Sequence, residues 1–505
     1  MAPFKAQKKL MTLFARSALP GSLGIAVAVF VVVLATMSEM QAADAPPNIV
    51  ILLADDLGYG ELGCQQPKGS AYDIPTPNID SIAGEGVRML QGYVTAPNCS
   101  PSRAGLLSGR MGTRFGYEFN PIGARNELPA IGLPAGEKTL ARRLHDRGYA
   151  TGLVGKWHLG GTAAYHPNRR GFDYFFGFTH EGHYFLPPPY DGALTMLRRR
   201  ALPPVTDING NDHSHRVRLG NVIYTDHMGH DEPAYDANNP IVSGSQPIMT
   251  TEYLTDVFTD QAIQFIDSHH QQPFFLMLAY NAVHSPLQAK LEDLERFESS
   301  ISDPHRRIFA GMLHSLDKSV GRVLKSLRDH DLERRTLVIF LSDNGGPTRE
   351  LTSRNTPLRG EKSDMYEGGI RVPWLMRLPG VVPVGIEYPQ AVSTLDILPT
   401  VMTLAGGEIP ANADGVDLIP YLNGERSDRP HRKMFWRQGK RAALRLDDWK
   451  LVRGGNRRQP GTWELYNLAS DPGETDNLAG QQEQQLLRMQ TAFDEMNREM
   501  VPAAF

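Results

Sequence analysis

The segment Asn48-Ile49-Val50-Ile51-Leu52-Leu53 is an almost unbroken apolar run that ends at Ala54-Asp55-Asp56-Leu57-Gly58. A short run without alternation has no wet face, which is the pattern of a strand buried on both sides. A second run of the same kind, Thr336-Leu337-Val338-Ile339-Phe340-Leu341, ends at Ser342-Asp343-Asn344-Gly345-Gly346. Between the two, apolar periodicity predicts helices near 76–86, 137–147, 251–268 and 309–330, and strands near 150–154 and 274–279. Strands alternating with helices predict an α/β fold: a large, mostly parallel sheet sandwiched by helices. In such folds the site lies at the carboxyl ends of the strands, where Asp55, Asp56, Asp343 and Asn344 fall.

With 505 residues, 41% of them hydrophobic and 21% charged, the chain can bury one large core and a second, smaller one. The expected order is a signal peptide over 1–42, a catalytic α/β domain over 46–425 and a C-terminal α+β subdomain over 430–505. The last is read from antiparallel strand patterns near 442–446, 449–452 and 463–468 and a closing helix near 481–500. Residues 160–247, rich in His, Pro, Gly, Asn and Asp, show little periodicity and read as surface loops suited to substrate selection.

At the N-terminus, Lys5, Lys8, Lys9 and Arg16 precede an apolar stretch over 23–37 and the run Met40-Gln41-Ala42-Ala43. This is the layout of an export signal cleaved near Ala42 or Ala43, and it predicts a periplasmic or secreted protein. The stretch is short for a membrane anchor, so no stable membrane insertion is expected. Cleavage would remove four basic residues and one acidic residue, moving the formal charge from −4 to −7. A mildly acidic chain excludes a broad electrostatic surface for nucleic acid. Its two cysteines do not make a disulfide framework, although a Cys64–Cys99 bond is one alternative for them.

Cys99 opens the run Cys99-Ser100-Pro101-Ser102-Arg103-Ala104-Gly105-Leu106-Leu107-Ser108-Gly109-Arg110. Pro101 fits a first helical turn, and Arg103 lies one turn or less from the cysteine. A helix N-terminus together with a guanidinium suits an anion such as a sulfate ester; the alternative is an inert buried thiol. Asp55, Asp56, Asp343 and Asn344 offer four hard oxygen donors, which suit Ca²⁺ or Mg²⁺ rather than zinc. Lys156 and His158 in Gly155-Lys156-Trp157-His158-Leu159-Gly160, His284 in Asn281-Ala282-Val283-His284-Ser285-Pro286, and Lys362 in Leu358-Arg359-Gly360-Glu361-Lys362 all follow strand or loop signals that could converge there.

From about residue 47 to residue 478 the chain resembles the type I sulfatases of the alkaline-phosphatase-like superfamily, most specifically in the Cys99–Arg110 and Gly155–Gly160 motifs. The resemblance implies that Cys99 is converted to formylglycine by a maturation enzyme. It further implies that Asp55, Asp56, Asp343 and Asn344, with the modified Cys99, hold a divalent metal, usually Ca²⁺, with Mg²⁺ the alternative. Arg103, Lys156, His158, His284 and Lys362 would then surround the nucleophile and the sulfate. His284, assisted by Lys362, would protonate the leaving oxygen, and His158 would take the proton that allows sulfate to depart. The chain is similar to arylsulfatases, and the loop 122–129 and the segments 166–177 and 179–184 are similar to parts of sulfatases acting on galactose-type sugars, including N-acetylgalactosamine-6-sulfatases, which implies a sulfated carbohydrate as substrate, a galactose-type sugar favoured. On that basis Arg125, His180 and His183 are candidates for recognising hydroxyl or carboxylate groups of a sulfated saccharide or aryl sulfate. A phosphodiesterase or phosphonate hydrolase of the same superfamily, and a non-catalytic binder of sulfated glycan, remain the competing readings.

Overall fold

A computed structural model describes residues 46–66, 72–198, 216–226, 228, 239–455 and 459–505. The expected signal peptide lies outside the described residues. Ten strands form the main sheet in the order Ile386–Ser393, Val87–Tyr93, Trp374–Arg377, Thr336–Ser342, Asn48–Ala54, Phe274–Ala279, Ala150–Lys156, Tyr174–Phe178, Val242–Ser243, Gln246–Pro247. Its centre is parallel: Ala54 pairs with Ser342, and Leu53 pairs with both Leu341 and Ala279. Asp55 and Asp343 therefore leave the sheet at one level, with Tyr280 one residue below them and Asn281 alongside.

The unbroken apolar runs are explained by the two faces. Val50, Leu52 and Ala54 enter a core shared with the helices Pro77–Gly84, Leu254–His269 and Pro304–Asp329. Ile49, Ile51 and Leu53 enter a second core with Cys99–Ser108, Leu140–His145 and Ile397–Leu404. Successive side chains point to opposite faces, so both sets must be apolar. The helix expected over 309–330 starts earlier, at Pro304, because the Asp303 side chain accepts from the Arg306 N–H and proline suits the first turn.

The stretch read as loop over 160–247 is partly strand. Tyr174–Phe178 joins the main sheet, and Ala193–Arg198, Arg216–Leu219 and Val222–Thr225 join Leu287–Lys290 in a second, four-stranded sheet. Lys433–Gln438, Arg441–Leu446, Trp449–Gly455 and Pro460–Asn467 form the expected antiparallel sheet, covered by Met489 and Phe493 of the helix Glu483–Arg498. Glycine matters at one approach to the site: a Cβ on Gly155, whose φ is 104°, would lie 1.9 Å from the Ala279 carbonyl oxygen. Without that glycine the strand could not lie so close to its neighbour just before Lys156.

Candidate active site

Cys99 is the first residue of the helix Cys99–Ser108, all of whose residues are buried. Its Sγ lies 3.6 Å from Asp55 Oδ1, within hydrogen-bond reach for sulfur. Burial pushes the thiol up to about 12, and Lys156 and Lys362 nearby do not reverse it. Cys64 and Cys99 are both free, so the disulfide alternative is not formed.

Each carboxylate beyond the central strands meets a cationic side chain. Lys156 Nζ donates to Asp55 Oδ2 at 2.6 Å, and Lys362 Nζ to Asp56 Oδ2 at 2.7 Å. Arg103 Nε donates to Asp343 Oδ2 at 2.9 Å, its Nη1 donates to the Lys156 carbonyl at 2.9 Å, and its Nη2 sits 2.8 Å from Asp343 Oδ2. Asn344 Nδ2 donates to Asp56 Oδ1 at 2.7 Å, while Asn344 Oδ1 is buried with no hydrogen-bond partner among the described residues. Burial would raise Asp55, but Lys156, His284 and Arg103 hold it below the usual carboxylate range. Burial and the Asp55 charge push Asp343 the other way. Burial would lower Lys362, yet the Asp56 carboxylate keeps it well above the ordinary lysine value.

Ligand atoms of Asp55, Asp56, Cys99 and His284 all lie within 4.8 Å of one another, close enough for one cation. Asp343 is adjacent through its Oδ1, which accepts the Asp56 N–H at 3.3 Å, while its Oδ2 faces Arg103. His284 Nδ1 donates to the Ser285 carbonyl at 2.7 Å and its Nε2 stands 3.5 Å from Asp56 Oδ2. Burial and then Lys362 lower its pKa, against Asp56 and Asp55. His158 is wholly buried, bonds the Pro121 carbonyl through Nε2 at 2.9 Å, and is lowered well below the ordinary value by burial and Lys156.

Thus Cys99, Arg103, Lys156, His284, Lys362 and the four metal candidates form one connected cluster, with His158 tied to it through the Ser100 hydroxyl, which donates to the His158 carbonyl at 2.5 Å. The three candidates for substrate recognition stand apart in their contacts. Arg125 is exposed, with its guanidinium 5.7 Å from the Phe505 ring centroid. His180 is buried against Glu127. His183 is buried against Phe178, and its carbonyl accepts from Asn281 Nδ2 at 3.5 Å, on the segment that carries His284. The supporting links of Ser100 to Tyr117 and of Asn126 to Glu181 are not legible in the sequence, because they join residues 17 and 55 positions apart.

Residues 47–407 match the sulfatase family model, and residues 360–500 match the model described as N-sulphoglucosamine sulphohydrolase, C-terminal. Arylsulfatase G of Rattus norvegicus is 33% identical over 467 residues, covering 86% of this chain and 82% of that protein. N-acetylgalactosamine-6-sulfatase of Mus musculus is 31% identical, covering 87% and 77%. The crystal structure of Ps i-CgsB, also solved in complex with k-i-k-neocarrahexaose, is 31% identical with a TM-score of 0.76, covering 91% of this chain and 94% of that one.

Proposed function

The chain belongs to the sulfatase family and hydrolyses sulfuric esters, and we propose that its substrate is a sulfated carbohydrate, a galactose-type sugar favoured, cleaved through a formylglycine made from Cys99. One observation carries the reading. Cys99 stands at a helix N-terminus amid fixed charges, yet burial holds it as a thiol, which is a poor nucleophile as encoded. Conversion by a maturation enzyme supplies a hydrated aldehyde with one hydroxyl to attack sulfur and a second through which sulfate is released.

Asp55, Asp56, Asp343 and Asn344 would hold Ca²⁺, or alternatively Mg²⁺, together with the modified Cys99. The unpartnered Asn344 Oδ1 and the neighbouring carboxylate oxygens suit a hard cation. When bound, the metal acidifies the attacking hydroxyl and polarises the sulfate. Arg103, Lys156 and Lys362 set positive charge around the sulfuryl group, each held by a carboxylate before substrate arrives. The Ser285 carbonyl accepts from Nδ1 of His284, so the ring serves as acid in its imidazolium form, whose Nε2 carries the proton for the departing oxygen. His158 accepts the proton in the second half of the cycle.

Arg125, His180 and His183 would recognise hydroxyl or carboxylate groups of the sugar. The likeness to N-acetylgalactosamine-6-sulfatase and to a structure holding a neocarrahexaose supports a saccharide. Export to the periplasm or medium, after cleavage near Ala42 or Ala43, belongs to the same proposal, and among the described residues no helix is long and apolar enough to cross a membrane. The test is a panel of defined sulfated saccharides, matched with aryl sulfates and aryl phosphates, after co-expression with a maturation enzyme. Desulfation of a galactose-type sugar, with a loss of about 18 Da on the Cys99 peptide, supports the reading. Full activity with unconverted Cys99, or activity confined to phosphate esters, overturns it.

A further inference from the structure

His158 has only one ring nitrogen free to take a proton, and an apparatus outside the catalytic cluster decides which. The Pro121 carbonyl, 2.9 Å from Nε2, can only accept, so Nε2 carries the hydrogen of the neutral ring. Nδ1 is left buried and without a hydrogen-bond partner among the described residues. Pro121 is placed by a short loop whose next residue, Ile122, is 48% exposed, so its position needs an anchor. Asn126 supplies one, with a fully buried side chain. One N–H of its Nδ2 goes to Glu181 Oε2 at 2.7 Å and the other is shared between the Gly123 carbonyl at 3.1 Å and, at a longer 3.4 Å, the Pro121 carbonyl itself. Glu181 Oε1 accepts the Gly123 N–H at 2.8 Å, and the Asn126 carbonyl accepts the Gly161 N–H at 2.9 Å, closing the loop onto the segment that carries His158.

We infer that Asn126 and Glu181 are positioning residues which, through the Pro121 carbonyl, lock His158 in the tautomer with Nε2 protonated and Nδ1 open as proton acceptor. Neither touches the reacting atoms. The role rests on the assignment of His158 as the base in sulfate release. Opposite the ring, the backbone is fixed independently, since Ser100 Oγ binds the His158 carbonyl and lies 2.8 Å from the Tyr117 hydroxyl. Loosening the loop should therefore free the ring while leaving the residue in place.

The experiment uses the full, matured chain as wild type, Asn126→Ala, Glu181→Ala and Glu181→Gln. Nitrogen NMR of labelled histidine, with the His158 signals identified by their loss in His158→Gln, reads the tautomer directly. Wild type should show a pyridine-like Nδ1 and a pyrrole-like Nε2, and the two alanine variants a mixture. Pre-steady-state release of an activated phenol from its sulfate should keep its burst rate within about twofold, while steady turnover falls about tenfold or more, because only the later step needs the base. Glu181→Gln, which keeps one acceptor for the Gly123 N–H but loses the one for Asn126, should give a turnover between that of the wild type and that of Glu181→Ala. A protonated Nδ1 in the wild type, or an alanine variant with unchanged melting temperature and Cys99 conversion in which burst and turnover slow together or not at all, overturns the inference. A matured His158→Gln variant whose turnover falls without a burst of phenol refutes instead the assignment of His158 as the base.

Discussion

Replacing His284 by alanine should separate substrates by leaving group. In the fold Nδ1 is fixed on the Ser285 carbonyl at 2.7 Å, so the ring cannot turn away and Nε2 is the one nitrogen that can face the scissile oxygen. General acid catalysis contributes about 10²–10⁴-fold, and each factor of ten corresponds to about 1.4 kcal/mol. Lys362 Nζ shares the Asp56 carboxylate with His284 and can partly substitute as a donor, which places the expected loss for a sugar sulfate near the lower end, about 10²–10³-fold. An activated phenol leaves without a full proton, so its sulfate should slow by less than about tenfold. The assay compares kcat/KM for a sugar sulfate and an activated aryl sulfate in both proteins, with Cys99 conversion checked by mass, since lost maturation would imitate lost catalysis. Equal slowing of both substrates with conversion intact would show that His284 binds sulfate and does not supply the proton.

Other consequences follow from neighbouring groups. Neither Cys99→Ala nor Cys99→Ser should turn over repeatedly, because neither can carry two hydroxyls on one carbon; near-wild-type cycling by the serine variant in a continuous assay contradicts that. Chelation should abolish activity, and Ca²⁺ or Mg²⁺ without zinc should restore it, with elemental analysis establishing that the stripped protein is metal-free. Asp343→Ala should remove activity and also destabilise the chelated protein by about 3 kcal/mol, read from denaturant midpoints, because it takes the nearest carboxylate from the buried Arg103 and leaves it Asp55 at 3.8 Å. A third carboxyl site gives a pH signature. Burial raises Glu474 to about 7, its Lys450 partner notwithstanding, whereas Lys450 overcomes burial to lower Glu367 to about 2. The fold thus binds a proton on Glu474 that the unfolded chain has released, so stability should fall, on the order of 3 kcal/mol, as pH rises from about 4.5 to 7. Glu474→Gln should flatten that slope in urea titrations, and an unchanged slope assigns it to other groups.

The parts of the fold legible in the sequence are those whose cause is local. The strands Asn48–Ala54, Phe274–Ala279 and Thr336–Ser342 are buried at every position, and burial on both faces leaves a mark on consecutive residues. Val87–Tyr93 and Ile386–Ser393, towards the sheet edge, carry polar residues, and the second includes Pro389 at a register shift, so neither shows a clean period. The second sheet was hidden for a related reason: its strands are four to six residues long and set among turns.

The site divides in the same way. Residues that end strands announce themselves, whereas Asp343 meets Arg103 across 240 positions and Glu181 meets Asn126 across 55, and no window on the chain contains such pairs. Asp56 and His158 add a second kind of silence. Both hold left-handed backbone, with φ of 63° and 56°, at positions where a chain reader would look for glycine. Aspartate and histidine tolerate that conformation better than most side chains, at a cost of order 1–3 kcal/mol that surrounding structure must offset. At Asp56 the offset is visible: its carboxylate takes Lys362 and Asn344. At His158 it is the Pro121 and Ser100 contacts. A glycine at either position would relax the backbone and remove the group that the bend presents.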